Sequence, residues 1–373
     1  MSADSHAARV VNVLVTVPAG TSGQGGIDRL MASLKQALAQ RPRTDVNARF
    51  RTTRGMGHIA FSPLHVAAFC LDMLTSRLGG CVDVVHINLA SHGSTYRKLM
   101  IAAWARILGI PYVLHLHSGE YKTFWPANGG FLDRRIRTMF GKASRIIVLG
   151  RVWKEFVLAR VPEAGDRVVV VPNAAEAPSR PHRGGGDAAH IIFLGRIGEK
   201  KGTPELCEAL SAMAGLPGWR ATIAGDGNAE ELRRRVEQLG LADRIRVPGW
   251  LGPADTADLL SEADILVLPS HVENLPMSVI EGMAAGLAVV STRVGAVEDI
   301  VSDGETGFLV WPRDVPALKH ALTRLVEEPD LRRRMGEAGR AVHRARLDLQ
   351  PFADTVCEVW RTAAGRRMGS DES

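Results

Sequence analysis

The stretch "HIIFLGRIGEKKGTPELCEAL", residues 190–210, joins a short apolar run to a loop of glycines and cations and then to an amphipathic pattern. Its opening run is nearly continuous in apolar residues, which is typical of a strand buried on both faces of a parallel sheet. Thr203 and Pro204 follow the loop; threonine favours a helix cap, and proline suits the first helical turn. The stretch therefore predicts a strand, a loop and a helix in succession, the repeating unit of an α/β fold.

The same alternation recurs along the chain, and it predicts an α/β protein with two Rossmann-like parallel sheets. Between the two sets of strands lies "NAAEAPSRPHRGGGDAAH", residues 173–190, whose Pro, Gly and Ala content without periodicity indicates a linker. The ten predicted strands cover residues 10–17, 83–88, 112–117, 145–150, 167–172, 190–195, 220–225, 244–249, 264–269 and 287–292.

A chain of 373 residues exceeds what one hydrophobic core usually serves, so two domains are expected. We predict an N-terminal Rossmann-like domain over residues 8–173, a linker over 174–189 and a C-terminal Rossmann-like domain over 190–350. The amphipathic pattern of residues 351–366 predicts a final helix, and residues 367–373 are expected to be disordered. Two such domains facing each other border a cleft with the carboxyl ends of their strands, where ligands of open α/β sheets bind.

The charge balance of the chain favours an anionic partner. The chain has 46 Lys and Arg against 40 Asp and Glu, and its pI is near 9.4. This balance suits a nucleotide, a polyphosphate or an acidic membrane surface, and it is also common in proteins that bind none of these. Nucleic-acid binding is not expected, because the basic segments lack interleaved aromatic residues and aromatics make up only 5% of the chain.

The four cysteines are scattered, with no CxxC pair and no His/Cys spacing of a metal site. They predict reduced thiols of a cytosolic protein. The chain opens without a charged-then-apolar targeting segment, and its most apolar early stretch is interrupted by Pro63, His65 and Asp72. We therefore expect a cytoplasmic protein whose contact with a membrane, where there is one, is peripheral.

Cations and glycines occur directly after the predicted strands of the second half. Arg196 and Lys201 lie between a strand and a helix start, and free helix-start amides together with two cations can bind a diphosphate. Gly225 and Gly227 in "IAGDG" allow a ligand to approach the backbone closely, and Pro248 in "VPGW" can border a planar base. Each feature also has an ordinary explanation, as surface charge or as a simple turn, so none decides the function alone.

The stretch "SHVENLPMSVIEGMAAG", residues 270–286, places two glutamates with seven residues between them at a helix start. Acidic side chains are the usual partners of ribose hydroxyls, so Glu281 on the helix suits a ribose and Glu273 in the loop suits a second sugar. The alternative is a glutamate favoured by the helix dipole, followed by a solvated helical glutamate. The backbone expected to address the ring or phosphate of that sugar belongs to Asn274, Leu275 and Pro276.

Taken in order, these motifs and "VGAVEDIVSDGETGFLV", residues 294–310, resemble the retaining glycosyltransferases of the GT-B fold. More narrowly, they resemble glycosyltransferase family 4, whose hallmark is a Glu-x7-Glu pair, over residues 190–312. The resemblance implies two Rossmann-like domains facing across a cleft, with the nucleotide-sugar donor on the C-terminal domain. It also implies that the final helix crosses back and completes the N-terminal acceptor domain.

The N-terminal half resembles the same family more loosely. "PAGTSGQGGIDRLM" after the first strand resembles its glycine-rich loop, which implies that Gly25 and Gly26 lie near the donor phosphates. "HLHSGEY" resembles the segment whose histidine contacts the donor sugar, here His117. This version of the segment and "HINLASHGSTYRK", residues 86–98, are similar to those of members that build surface polysaccharides.

The resemblance implies transfer of a sugar from a UDP- or GDP-linked donor to an acceptor hydroxyl, with retention of the anomeric configuration. Preplaced cations and amides would stabilise the charge that builds on the leaving diphosphate. Metal-dependent glycosyltransferases usually hold the diphosphate through two aspartates separated by one residue, a pattern that this sequence lacks. We therefore expect neither a metal nor another cofactor. The implied catalytic residues are His117, Glu273, Arg196 and Lys201.

We expect the acceptor, a glycan or a polyprenyl-diphosphate-linked glycan, on the N-terminal half. There "FLDRRIRTMFGKASR", residues 131–145, interleaves basic and apolar residues in a way that suits anionic lipid. An ordinary helix packed by its apolar side has the same pattern. The candidate acceptor residues are His86, His92, Tyr96 and Arg97.

Two other functions stay open at this point. A GT-B nucleotide-sugar epimerase or hydrolase would release free sugar without any acceptor. A non-catalytic nucleotide-sugar-binding protein would keep the fold and lose the transfer reaction, and the presence of Arg196, Lys201 and both glutamates argues against such decay of the site.

Overall fold

The computed structural model describes most of the protein, namely residues 10–20, 25–55, 61–126, 128–186 and 188–365. The chain forms two compact units. The first comprises the described residues up to Pro172 together with those from Leu349 onward, and the second is Asn173–Asp348. The predicted disordered tail, residues 367–373, lies outside the described residues.

The core of the first unit is a six-stranded parallel sheet. Its strands are β1 (Val11–Val17), β2 (Val46–Thr52), β3 (Val84–Leu89), β4 (Tyr112–Leu116), β5 (Arg145–Val148) and β6 (Val168–Val170). They are ordered β2-β1-β3-β4-β5-β6, and all neighbours run parallel. Every residue of β3 and β4 is buried because helices pack against the sheet, which explains their nearly continuous apolar runs.

Helices connect the successive strands of this sheet. They are α1 (Gly26–Gln40), α2 (Ser62–Leu78), α3 (Gly93–Ile107), α4 (Tyr121–Phe124), α5 (Phe131–Gly141) and α6 (Arg151–Arg160), followed by a 3-10 segment at Pro162–Arg167. Helix α5 buries Ile136, Met139 and Phe140, so the apolar side of the segment 131–145 faces the protein core. No helix in the described parts of the chain is both long and apolar enough to cross a bilayer.

A second six-stranded parallel sheet forms the core of the second unit. Its strands are β7 (Ala189–Leu194), β8 (Trp219–Ala224), β9 (Ile245–Gly249), β10 (Ile265–Leu268), β11 (Ala288–Thr292) and β12 (Gly307–Val310). They are ordered β12-β11-β10-β7-β8-β9, again with parallel neighbours. The prediction of an α/β protein with two Rossmann-like parallel sheets is confirmed.

The helices of the second unit cover this sheet. They are α7 (Thr203–Ser211), α8 (Ala229–Gln238), α9 (Pro253–Glu262), α10 (Met277–Ala285), α11 (Val315–Glu327) and α12 (Pro329–Val342). Short helical turns occur at Glu199–Lys201, Val297–Asp299 and His343–Leu347.

The final helix, α13 (Leu349–Ala363), belongs to the first unit. It packs on α1, β1, β3 and β4, and it buries Trp360 completely. Arg361 forms an ion pair with Asp45 at 2.6 Å, which ties the end of the helix to the loop before β2. Within the described residues, the amphipathic pattern predicted for 351–366 therefore corresponds to a helix that ends at Ala363 and has one buried face.

The two strands that the sequence pattern missed, β2 and β12, are both edge strands. Strand β2 reads "VNARFRT", with two arginines and only partial burial, because a sheet neighbour lies on one side only. Strand β12 has four residues and pairs with β11 alone. Edge strands lack the full burial that makes the central strands conspicuous as apolar runs.

Candidate functional site

The loop after β7 carries the two predicted phosphate-binding cations. Lys201 ends the 3-10 turn that precedes α7, and Gly202 caps that helix in the left-handed region, at φ +69°. A Cβ on Gly202 would lie 2.0 Å from the carbonyl oxygen of Pro269, so the close approach of these two loops requires glycine. The prediction that Thr203 is the cap was wrong: its hydroxyl instead accepts a hydrogen bond from the Gly198 amide at 3.0 Å.

Lys201 and Glu273 contact each other through Nζ and Oε1, although they come from different loops. Their side chains are 29% and 11% exposed. The hydroxyl of Ser270 donates to the same carboxylate oxygen at 2.9 Å, which fixes the direction of the Glu273 side chain. The predicted phosphate cation and the predicted sugar-binding carboxylate thus form a single polar centre at the carboxyl end of the sheet.

Arg196 lies beside this centre, on the loop that joins β7 to the 3-10 turn. Its side chain is 74% exposed, and its Nη1 lies 3.8 Å from a carboxylate oxygen of Asp226. A contact this long between exposed groups contributes little to stability, so Arg196 can turn towards an anion at small cost. The amide of Ile197 donates to the Asp226 carbonyl at 2.7 Å and holds the loop in place.

The glycines after β8 lie against the same loop. A Cβ on Gly225 would come within 1.7 Å of the Gly195 carbonyl oxygen, and Gly227 forms a bridge with Ile197. The amide of Gly225 donates to the Gly249 carbonyl at 2.8 Å, next to the half-buried Pro248 in β9. The structure therefore brings together three loops whose predicted donor-binding residues are far apart in the sequence.

Helix α10 begins at Met277, with Pro276 as its capping residue, and Gly286 ends it in the left-handed region at φ +79°. Glu281 is half-buried in the second turn of the helix. Asn274 and Leu275 are buried in the preceding loop. The glutamate pair thus spans a loop and a helix, as the sequence predicted, and Glu281 is placed one turn beyond the helix start.

Residues that the sequence analysis did not identify hold this loop rigid. The side-chain amide of Asn173 donates to the Leu275 carbonyl at 2.8 Å, and the amide of Ala296 donates to the Asn274 carbonyl at 2.7 Å. The Thr292 hydroxyl donates to the Ser270 carbonyl at 2.6 Å. Their only sequence signal is that Thr292 and Ser270 stand at or just after the ends of strands.

A cavity of about 840 Å³ lies at the opposite end of the second sheet, where β7 and β11 begin. Its lining includes Asp264, Arg332 and Arg340 but none of the predicted donor-binding residues. Arg332 already donates to the Leu325 carbonyl at 2.6 Å, and Arg340 donates to the Ala285 carbonyl at 2.9 Å. These arginines satisfy helix ends, and the cavity is separate from the glutamate pair.

In the first unit, the half-buried His117 joins the fully buried His86 and His115 in a cluster at the carboxyl ends of β3 and β4. The indole of Trp360 donates to His86 Nδ1 at 2.9 Å, so the neutral His86 carries its proton on Nε2. His117 Nε2 lies 2.7 Å from the side-chain oxygen of Asn88, which only accepts hydrogen bonds. The proton of His117 is therefore on Nε2, and its Nδ1 is an acceptor.

Burial keeps this cluster neutral at pH 7. It lowers the pKa of His86 to about 4 and that of His117 to about 3, and it places the pKa of His115 well below the usual value. His115 stacks on His117 with ring centroids 3.9 Å apart. His117 is thus a rigid, uncharged hydrogen-bonding group.

The predicted acceptor residues divide into two groups. His86 is completely buried and bonded to Trp360, so its side chain does not reach a ligand, and the expected acceptor contact does not fit it. His92 and Tyr96 are exposed at the start of α3, and both rings pack on Phe124, with centroids 4.9 and 6.4 Å away. Arg97 is half-buried one residue further on. The sequence analysis overlooked Phe124.

Gly25 and Gly26 lie at the start of α1, Gly25 as its capping residue, and both are exposed. A Cβ on Gly26 would meet nothing within 4 Å, so neither packing nor a neighbouring backbone demands glycine at this position. The preceding part of the predicted glycine-rich loop, residues 21–24, lies outside the described residues.

Each half of the chain matches a family of glycosyltransferases. Residues 3–174 match the family described as "Glycosyl transferase 4-like domain", and residues 179–342 match "Glycosyl transferases group 1". Together these two matches span nearly the whole chain, with one ending and the other beginning close to the boundary between the two units.

Two relatives and one solved structure illustrate the similarity. The alpha-D-kanosaminyltransferase of Streptomyces kanamyceticus is 26% identical over 302 residues, 74% of this chain and 76% of that protein. The lipopolysaccharide core biosynthesis glycosyltransferase LpsE of Rhizobium meliloti is 32% identical over 223 residues, 59% of this chain and 61% of that protein. HepE of Anabaena, solved in complex with UDP and glucose, superposes with a TM-score of 0.70 at 18% identity, covering 94% of this chain and 100% of that one.

Proposed function

We propose, since this chain belongs to the glycosyltransferases of the GT-B fold and is a hexosyltransferase, that it moves a hexosyl group from a nucleoside diphosphate sugar to an acceptor hydroxyl with retention of configuration. The bond from the anomeric carbon to the phosphate oxygen breaks, and the acceptor oxygen forms the new bond on the same face. The acceptor proton passes to the leaving phosphate oxygen. The protein must therefore hold the diphosphate and stabilise its growing negative charge.

The contact between Lys201 and Glu273 is the observation that supports this proposal most directly. A diphosphate that enters here replaces the carboxylate as the partner of the Lys201 ammonium. Glu273, still oriented by Ser270, then accepts hydrogen bonds from the hydroxyls of the transferred sugar. Arg196 supplies a second, mobile cation to the same diphosphate. The pair thus exchanges one charged partner for another when the donor binds.

The remaining donor contacts follow from the helix start and the glycine turns of the second unit. Glu281 accepts hydrogen bonds from the two ribose hydroxyls, in the way that acidic side chains bind ribose in other doubly wound folds. Gly225 and Gly227 let the nucleotide approach the backbone, and Pro248 borders the base. The backbone around Asn274, Leu275 and Pro276 addresses the sugar and phosphate. Gly25 and Gly26 contribute the start of α1 to the donor phosphates.

We assign His117 the role of orienting the transferred sugar. Its Nδ1 is an acceptor whose direction is set by the bond from Nε2 to Asn88 at 2.7 Å. Because burial holds the pKa of His117 at about 3, the ring accepts a hydrogen bond from a sugar hydroxyl without changing its charge at neutral pH. It acts as a positioning group rather than as a nucleophile.

Two finer assignments complete the proposal. UDP is the favoured nucleotide, since a protein of the same fold, HepE, is known in complex with UDP and glucose. A glycan of a surface polysaccharide is the favoured acceptor class, because one relative, LpsE, is a glycosyltransferase of lipopolysaccharide core biosynthesis. We propose that no metal is required, because Lys201 and Arg196 provide the cations and the sequence has no pair of aspartates separated by one residue.

A thermal-shift screen of UDP- and GDP-sugars, followed by titration of the best nucleotide, tests the donor site. Glu281→Ala is expected to weaken nucleotide binding by about 10-fold, because hydrogen bonds to a charged group contribute about 1.5–3 kcal/mol. Glu273→Ala is expected to lower turnover while affinity for the nucleotide alone changes little. Glu237→Ala, an exposed glutamate on α8, is the control and should behave as wild type.

The same preparation separates the competing functions. Release of free sugar equal to nucleotide, unaffected by any acceptor, would instead identify a nucleotide-sugar hydrolase or epimerase. Tight nucleotide binding with no turnover in any acceptor pool would identify a binding protein. Loss of transfer on adding EDTA, with recovery on adding Mg²⁺, would contradict the metal-independent route.

We also propose that the enzyme works at an anionic membrane surface on the cytoplasmic side, docking through α2 and α3. Leu64, Leu71 and Leu78 recur every seven residues on α2 and are all exposed, Leu78 at 80%. Helix α3 exposes Tyr96, Met100 and Ile107. The two helices are neighbours, since the Trp104 indole on α3 donates to the Cys70 carbonyl on α2 at 3.0 Å. Exposed apolar residues on adjoining helices mark an interaction surface.

The charges of these helices favour anionic rather than neutral lipid. Helix α3 contains no acidic residue, and the one acid of α2, Asp72, is paired with Arg49 and Arg51 at 3.4 and 2.7 Å. Exposed arginines lie at the ends of both helices, Arg77 on α2 and Arg106 on α3. The segment 131–145 does not offer such a surface, because the apolar side of α5 is buried.

Sedimentation with vesicles tests this surface. Wild type is expected to bind vesicles with 30% anionic lipid in a salt-sensitive manner and to bind zwitterionic vesicles weakly. The double variant Leu71→Glu/Leu78→Glu should lose most of the binding, since each substitution removes apolar area and adds a repelled charge. Trp311→Glu, at an exposed apolar residue of the second unit, is the control. Equal binding by the double variant and wild type would refute the assignment.

A further inference from the structure

Three cations converge in the first unit where β1 and β2 end beside the second turn of α3. The amide of Arg54 donates to the Pro18 carbonyl at 2.9 Å, which places Arg54 directly after β2 and next to the end of β1. Lys98 on α3 reaches the same point, and its Nζ donates to the Thr53 hydroxyl at 2.6 Å. Arg97 precedes Lys98 on this turn. The fold therefore brings Arg54, Arg97 and Lys98 to one end of the sheet.

The three cations also act on one another electrostatically. Burial and then the neighbouring Arg54 lower the pKa of Arg97. Burial and then Arg97 lower the pKa of Lys98 well below its usual value. Asp28 is the carboxylate that offsets Lys98, and it already accepts a hydrogen bond from the Ala19 amide at 2.9 Å. Positive charge thus exceeds negative charge at this point.

Arg97 is the cation of this group for which the described part of the chain supplies no partner. Among the residues that the structure describes, it has no hydrogen-bond or ion-pair partner, and its Nε atom is buried without an acceptor. Burying a charged donor without a partner costs free energy. A protein therefore rarely retains such a donor unless a ligand supplies the missing acceptor. The side chain of Arg54 has one long contact within the described chain, from Nε to the Gly55 carbonyl at 3.4 Å.

We infer that Arg97 and Arg54 form a subsite for a phosphate or diphosphate group carried by the acceptor, with Lys98 positioning the loop through Thr53. The inference rests on the proposed function and narrows its acceptor to an anionic one. Guanidinium groups bind phosphate oxygens in a bidentate way, and two of them suit a group with two or more negative charges. The exposed rings of His92 and Tyr96 precede Arg97 in sequence and offer an apolar surface to the rest of the acceptor. The donor diphosphate is assigned to Lys201 and Arg196 in the second unit.

Binding of inorganic pyrophosphate in the presence of saturating UDP is the first test, because UDP occupies the donor site. Wild type is expected to bind pyrophosphate above an ionic-strength-matched chloride control. Arg97→Ala should weaken this binding by about 10- to 100-fold, the loss expected for charge-assisted hydrogen bonds. The pyrophosphate affinity of Arg97→Lys should lie between those of wild type and Arg97→Ala, since lysine keeps the charge and lacks the planar guanidinium group. Arg134→Ala, an exposed arginine on α5 of the same unit, is the matched control and should bind as wild type.

Thermal unfolding separates a ligand-binding arginine from a structural one. Arg97→Ala removes a cation that Arg54 and Lys98 repel, so its melting temperature without anion should equal or exceed that of wild type. A clearly lower melting temperature would mean that Arg97 supports the fold, and it would overturn the inference. Absence of pyrophosphate binding to wild type would overturn it as well.

Affinity for UDP distinguishes the acceptor from the donor as the source of the anion. Arg97→Ala and Arg54→Ala are expected to bind UDP as tightly as wild type. A loss of UDP affinity as large as the loss of pyrophosphate affinity would assign these arginines to the donor diphosphate and refute the acceptor subsite. The donor site itself is tested by Glu281→Ala, so the proposed function can fail or hold independently of this result.

Discussion

Replacing Lys201 with alanine is expected to lower kcat/KM for the donor by about 100- to 1,000-fold, the effect of removing one group that stabilises developing negative charge. Lys201 faces the carboxylate of Glu273 in a part-buried loop, where a cation interacts more strongly than it does in water. Its loss should also weaken UDP binding, since the diphosphate carries charge before transfer begins. Steady-state kinetics with the identified donor and titration of UDP measure both effects.

The contact with Glu273 makes a second variant informative. If Lys201 served only to hold Glu273, then Lys201→Ala would have no further effect once Glu273→Gln had removed the carboxylate. We expect the double variant to bind UDP more weakly than Glu273→Gln alone, because Lys201 contacts the diphosphate itself. Lys319→Ala, an exposed lysine on α11, is the control for the loss of one positive charge. Unchanged UDP affinity and rate in Lys201→Ala would refute the diphosphate assignment.

The second large effect is expected from Gly225→Ala, which adds a single methyl group. The new Cβ would lie 1.7 Å from the Gly195 carbonyl oxygen. That oxygen belongs to the backbone, so it cannot rotate away as the end of a flexible side chain could. The loops after β7 and β8 must then separate, and the bond from the Gly225 amide to the Gly249 carbonyl must break. We expect the free energy of unfolding of the second unit to fall by about 3 kcal/mol or more.

Chemical denaturation and calorimetry measure this loss of stability. The accompanying loss of UDP affinity should be severe, because three donor loops move together. Gly215→Ala is the control: Gly215 is exposed in a turn, and a Cβ there would meet nothing within 4 Å. Its effect should stay within about 0.5 kcal/mol. If the two variants unfolded at the same denaturant concentration, the close packing of these loops would not be a requirement of the site.

The parts of the fold that could be predicted are those in which local pattern and burial agree. All ten predicted strands exist. Eight of them are central strands, which are buried on both faces and stand out as apolar runs, and the other two, β6 and β9, lie at sheet edges. The two strands that escaped prediction, Val46–Thr52 and Gly307–Val310, lie at sheet edges, where one side has no neighbour to bury them. Each pairs with the strand that precedes it in the chain, β2 with β1 and β12 with β11.

The candidate site shows the same division. The order of the motifs and the family resemblance singled out Glu273, Glu281 and Lys201, and charged residues that follow strands collect at one end of a parallel sheet. The contact between Lys201 and Glu273 could not be predicted, since it depends on the approach of Gly202 to Pro269. His86 shows the opposite failure: it was a candidate acceptor residue, whereas the indole of Trp360, 274 residues away, donates a hydrogen bond to its Nδ1.

The sequence by itself determined the α/β class, the two sheets, the order of the motifs and the chemistry available at the strand ends, since these depend on periodicity and residue type over short distances. Only the tertiary structure decided which of those residues are partners. It paired Lys201 with Glu273, buried His86 and left the Nε atom of Arg97 without an acceptor among the described residues, because each outcome depends on packing between segments that are far apart in the chain.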